Sequence, residues 1–256
     1  MFLNGHLFEV PLFLGFLMKG TFFNAGQEFE LETLGESWKQ NELVRGKLNC
    51  KNGNPGDLVL VLAFGDFKDV RAKDHSAFEI LEEKKIEAGE NALSWQFKLR
   101  PDISITEKNG SPFVLLKQGE NIIGHLQLTV ELRPMLKSFL ETFELFFRFK
   151  THSFKNRKKG FVEYKMIPPK TREYANMDQV LVALKLAGEE LEVKYTFTLK
   201  NLGMNAGQAE LKKNKKEIEQ TLSKKDYELC PDVHNPDGIK KFLADALAQA
   251  APKMLF

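Results

Sequence analysis

The stretch "WKQNELVRGKLNC", residues 38–50, alternates apolar Val44, Gly46, Leu48 and Cys50 with polar Arg45, Lys47 and Asn49. Successive side chains of a strand point to opposite faces, so a period of two predicts a half-buried β-strand. Gly46 stands in the apolar row. A strand interior disfavours glycine, which packs nothing and costs conformational entropy. The usual reasons for one are a bulge, a bend or the close approach of another backbone. The segment reads as a first strand of a two-sheet fold.

The same period extends outward from it. Phe29 and Leu31 alternate with Glu28, Glu30 and Glu32, and Leu93, Trp95, Phe97 and Leu99 with Ser94, Gln96 and Lys98. Leu126, Leu128, Val130 and Leu132 alternate with Gln127, Thr129, Glu131 and Arg133. "LVLVLAF", residues 58–64, is apolar throughout, as a central strand buried on both faces would be. Turn residues separate these runs at 52–56, 88–91 and 109–112. Short alternating strands at this spacing predict an antiparallel sandwich.

After Pro134 the period changes. Leu136, Phe139, Leu140 and Phe143 follow helical spacing, with the proline suited to a first helical position. Alternation resumes at Leu145, Phe147 and Phe149, and three further strands are expected near 161–167, 179–187 and 191–200. Gly188, Glu189 and Glu190 suggest a hairpin between the last two. From 204 onward a helical tail is expected. Leu211, Ile218 and Leu222 have helical spacing in a lysine-rich background, and Ile239, Phe242, Leu243, Ala246, Leu247 and Ala250 form a continuous stripe behind an Asn235 cap and Pro236.

In order, "NELVRGKL", "AGENALSWQFKLRPD", "GHLQLTVEL", "RPMLKSFLETFELFFRFK", "GFVEYKMIPPKTREYANMDQVLVAL" and "EELEVKYTFTL" resemble the bacterial stage-zero sporulation-control protein M family over residues 27–200. That resemblance implies an all-β, arrestin-like fold of two antiparallel, immunoglobulin-like β-sandwich domains with a short helix between strands. It also implies a non-catalytic regulatory or scaffold role in the bacterial cytoplasm, with Gly46 where two strands cross closely. The expected division is an extension at 1–18 with Met18 as the native start, sandwiches at 19–131 and 132–203, and a helical tail at 204–256.

Composition agrees with a soluble globular chain. Of 256 residues, 43% are hydrophobic and 28% charged, and the formal net charge of +2 is too balanced for dedicated nucleic-acid binding. Two distant cysteines, Cys50 and Cys230, imply no disulfide framework and fit a reducing cytoplasm. The apolar lead at 1–18 carries Glu9 and Pro11 and no basic residue before the apolar run, so it lacks the architecture of a secretory signal.

Neither catalytic nor cofactor motifs occur, and no cofactor or metal is expected. Asp74, His75 and Ser76 are adjacent on the chain and so point apart. Cys230 and His234 offer two ligands with nothing nearby to complete a site, and His6, His125 and His152 are scattered. Cys50, in an apolar row, reads as an inert core thiol. Candidate interaction residues are the basic hairpin, Lys155, Arg157, Lys158 and Lys159, and the terminal stripe, Ile239, Phe242, Leu243 and Leu247. The expected partner is a protein, with strand addition at a sandwich edge as one mode. The competing reading uses the basic hairpin and the lysine-rich tail on a membrane surface or nucleic acid.

Overall fold

The computed structural model describes residues 17–51, 57–72, 78–86, 92–157, 160–205, 208–230 and 233–250. Its first half contains β1 (Leu17–Asn24), β2 (Gln27–Leu34), β3 (Ser37–Lys39), β4 (Leu43–Lys51), β5 (Leu58–Asp66), α1 (Phe67–Arg71), β6 (Glu79–Ile86), β7 (Ala92–Lys98), β8 (Gly110–Gln118), β9 (Asn121–Gln127) and β10 (Thr129–Glu131). Two four-stranded antiparallel sheets, ordered β1-β2-β4-β7 and β6-β5-β8-β9, form a sandwich. Phe29, Leu31, Val44, Leu48 and Phe97 of the first sheet and Leu60, Leu62, Val114 and Leu116 of the second share its core. A parallel pair, β3 with β10, sets Trp38 opposite Val130.

β4 carries the predicted alternation, with Val44, Gly46, Leu48 and Cys50 inward. A Cβ on Gly46 would fall inside the Glu32 carbonyl and the Trp95 ring, so close approach is the reason for the glycine. β5 is buried on both faces, as expected. Its outer face and that of β8 gather Val61, Ala63, Phe113 and Leu115 beneath Phe67 and Phe78, whose rings meet Phe113 edge-on at 6.2 and 5.6 Å. The side edges of the sandwich are covered as well. Phe22 of β1 lies over Gly124 of β9, and Lys84 of β6 donates to the Gln96 carbonyl of β7.

The second half contains α2 (Pro134–Phe147), β11 (Lys150–Asn156), β12 (Val162–Ile167), β13 (Met177–Ala187), β14 (Glu190–Asn205), β15 (Gln208–Leu222), α3 (Lys224–Tyr227), β16 (Glu228–Cys230), β17 (Val233–His234) and α4 (Pro236–Ala250). β11 to β15 form one antiparallel sheet in sequence order. Val162, Tyr164, Val180, Val182, Val193, Tyr195 and Phe197 line its inner face, against which α2 and α4 lie. This core is continuous with that of the sandwich.

Several boundaries differ from expectation. The 1–18 extension includes the first two residues of β1, and Met18 packs against the core; residues 1–16 lie outside the described residues. Leu126 to Leu132 is two strands, β9 and β10, and the expected turn at 109–112 is already the start of β8. Leu145 and Phe147 belong to α2, which runs to Phe147 and ends at Arg148 in the left-handed conformation (φ 57°). The largest correction falls at 204–205 and 208–222, where the expected tail helix is instead the end of β14 and all of β15. Ile218 and Leu222 lie four residues apart, a spacing that satisfies both a helical turn and the period of two. Past Leu199, β14 and β15 continue as a ribbon from Lys200–Lys213 to Asn205–Gln208. The expected turns at 52–56 and 88–91 lie outside the described residues.

α4 is as predicted. The Asn235 side chain accepts from the Gly238 N–H at 3.1 Å, and Ile239, Leu243, Ala246, Leu247 and Ala250 are buried. Gln220 of β15 donates to the Phe242 carbonyl at 3.2 Å. The helix is docked on its own chain.

Candidate functional site

The two halves meet where the β11–β12 hairpin touches the loop before β8. Asn156, the last residue of β11, clamps the Ile105 backbone. Its Oδ1 accepts from the Ile105 N–H at 3.0 Å, and its Nδ2 donates to the Ile105 carbonyl at 2.8 Å. The Asn156 N–H donates to the Glu107 carboxylate at 3.2 Å. Gly160, with φ of 77°, lies against Asp102, where a side chain would collide. An amide side chain matches a peptide group donor for acceptor, which suits asparagine to this tie.

Beside the clamp is a cleft of about 450 Å³. Ile105, Val130 and Leu132 of the first half form one wall, and Leu140, Phe154 and Tyr164 of the second form the floor and the other wall. Phe154 is stacked on Tyr164 at 5.5 Å with an interplanar angle of 27° and keeps 40% of its surface exposed. Glu131, Glu141, Glu144 and Lys137 stand around the apolar floor. Lys137 pairs with Glu141 one helical turn on, at 3.7 Å, and Glu144 accepts the Thr151 N–H of β11 at 3.0 Å. Burial pushes the Tyr164 phenol well above its ordinary pKa, so it remains neutral.

The predicted interaction residues are placed elsewhere. Lys155 and Arg157 reach Glu163 at 3.5 and 2.8 Å, on the side of the hairpin away from Phe154. Lys158 and Lys159 lie outside the described residues. Ile239, Leu243 and Leu247 are buried in the chain's own core, and Phe242 is partly buried against it. Of the lysines of β15, Lys213 is paired with Asp178 at 2.7 Å, and Lys216 donates to the Gln249 carbonyl at 2.5 Å. The Asp178 carboxyl is held below its ordinary pKa by Lys200 and then Lys213.

Asp74, His75, Ser76 and His6 also lie outside the described residues. Cys50 is buried, and burial raises its thiol pKa, in keeping with an inert core thiol. Cys230 is exposed on β16, and among the described residues no group of three or more His, Cys, Asp or Glu is placed to hold a metal ion. The cleft was not foreseen. Its one sequence signal is Phe154, a lone aromatic within the polar strand "KTHSFKN".

No protein-family model and no curated protein matches the chain. Among solved structures it is similar to Spo0M, the sporulation control protein from Bacillus subtilis, with a TM-score of 0.62. The match covers 88% of this chain and 99% of that one at 15% sequence identity. The resemblance read from the strand order is therefore matched in three dimensions, and the chain has the arrestin-like fold of that protein.

Proposed function

We propose that this chain is a non-catalytic regulatory protein of the cytoplasm that acts by binding another protein. The observation that carries this reading is the match of both halves, together with their order, to a sporulation control protein over nearly its whole length. The cleft between the halves supports it, since an apolar recess with a few polar groups around it is the usual form of a binding site. Among the described residues no helix is long and apolar enough to cross a membrane. The basic groups of the alternative reading are in part already engaged, Lys155 and Arg157 by Glu163 and Lys213 by Asp178.

The test is capture from native lysate on the immobilised full chain, followed by a salt titration. The reading predicts a retained protein that survives about 1 M salt, where charges interact over only about 3 Å. Retention that falls steeply with salt and is competed by anionic vesicles or DNA would replace it with the anionic-surface reading.

A further inference from the structure

The cleft has a chemical character that goes beyond a generic recess. Its floor is apolar and ends in the half-exposed, stacked Phe154 ring, while its rim carries Glu131, Glu141 and Glu144 against one cation, Lys137, among the described lining residues. Lys137 is already paired with Glu141, so the rim keeps an excess of negative charge. The cleft is also bounded by a strand edge. β11 is the outer strand of its sheet, and the N–H of Thr151 is held by the Glu144 carboxylate, not by a neighbouring strand.

A side-chain carboxylate on an edge N–H blocks unwanted pairing. It can also be exchanged. A peptide carbonyl can take the Thr151 N–H, and the released Glu144 carboxylate can then pair with a cation on the incoming chain. The aromatic face of Phe154 attracts a cation as well.

The geometry points to a docking site for an extended peptide segment of a partner protein, with one or more large apolar side chains in the cleft and flanking lysine or arginine residues on the Glu131–Glu141–Glu144 rim. The volume suits a few side chains of such a segment and excludes a folded domain. This deepens the protein-binding reading and rests on it. Strand addition along β11 supplies the main-chain contacts, the apolar floor supplies the anchor, and the acidic rim sets direction and specificity.

The test is selection from a random peptide library on the immobilised full chain, followed by affinity measurement on a synthetic copy of the enriched peptide. The expected enrichment is an aromatic or large aliphatic residue with lysine or arginine beside it. Phe154→Ser should weaken that peptide by about tenfold or more. The double change Glu131→Lys with Glu141→Lys, at two exposed positions, should weaken it comparably and restore binding to a copy whose basic residues are replaced by glutamate. The melting temperature of each variant shows that it is folded. Enrichment of acidic peptides, or affinity indifferent to both variants, overturns the proposal. So does enrichment of peptides whose protected region lies outside β11. The two readings can fail separately: a lysate protein whose capture is unchanged by these variants removes the cleft proposal and leaves the protein-binding reading standing.

Discussion

At Gly46 a methyl group has nowhere to go. The Glu32 carbonyl belongs to the neighbouring strand, and the Trp95 ring is held by the sandwich core, so neither yields easily. Gly46→Ala should cost about 3 kcal/mol, the upper range for overpacking a tight site. Urea unfolding measures it, and a loss under about 1 kcal/mol would show that the strands can part at little cost. Tyr195 has the opposite problem. Its ring is buried against Phe197, yet its hydroxyl has no hydrogen-bond partner among the described residues. A buried hydroxyl without a partner is costly, so Tyr195→Phe should raise stability by about 1 kcal/mol. A destabilised variant would reveal a partner for the hydroxyl.

At the scale of the elements, α4 depends on packing for its stability. A helix of 15 residues is marginal alone in water, and burial of Ile239, Leu243 and Leu247 against α2 and β15 supplies what propensity does not. Leu243→Asp places a charge in that contact and should lower the melting temperature by well over about 5 °C, since a loss of several kcal/mol at this chain length shifts it about 2–4 °C per kcal/mol. An unchanged melting temperature would mean that the helix leaves the body freely.

This helix was legible in the sequence because its stripe repeats over several turns behind a cap and a proline. β4 and β5 were legible because alternation and a continuous apolar run have few other readings. β15 was not. Only one side of an edge strand is buried, and its lysine row carries no alternation. Of its large apolar residues, Ile218 and Leu222 fit either period, while Leu211, seven residues before Ile218, fits helical spacing and not the period of two. The end of α2 misled differently: Leu145 is exposed and breaks the helical stripe, so its alternation with Phe147 and Phe149 imitates a strand. The cleft was hidden for a third reason. Ile105, Val130, Leu140 and Phe154 come together only when the halves dock, and no local pattern records that.

At the scale of the whole molecule, the tyrosines, all in the second half, report on the core of that half. All four, Tyr164, Tyr174, Tyr195 and Tyr227, are buried, and burial is the first cause raising each phenol above its ordinary value, with Tyr174 pushed up to about 12. A raised pKa means that the folded chain keeps protons which the unfolded chain releases. The corresponding stability is full below about pH 10 and is lost as pH rises through the folded values. Phenolate absorbance should therefore appear together with the loss of circular dichroism, in one alkaline transition. A separate titration near pH 10 with the fold intact would show a phenol that is not held in the core. The central claim is that the docked halves present a binding surface for a protein, and hydrogen exchange on the full chain, free and saturated with its captured partner, tests it most directly. The account predicts new protection at Thr151–Asn156 and along the Lys137–Glu144 face of α2, with the lysine-rich strand at 212–216 unchanged. Protection confined to 212–216, or to no part of the cleft, would contradict it.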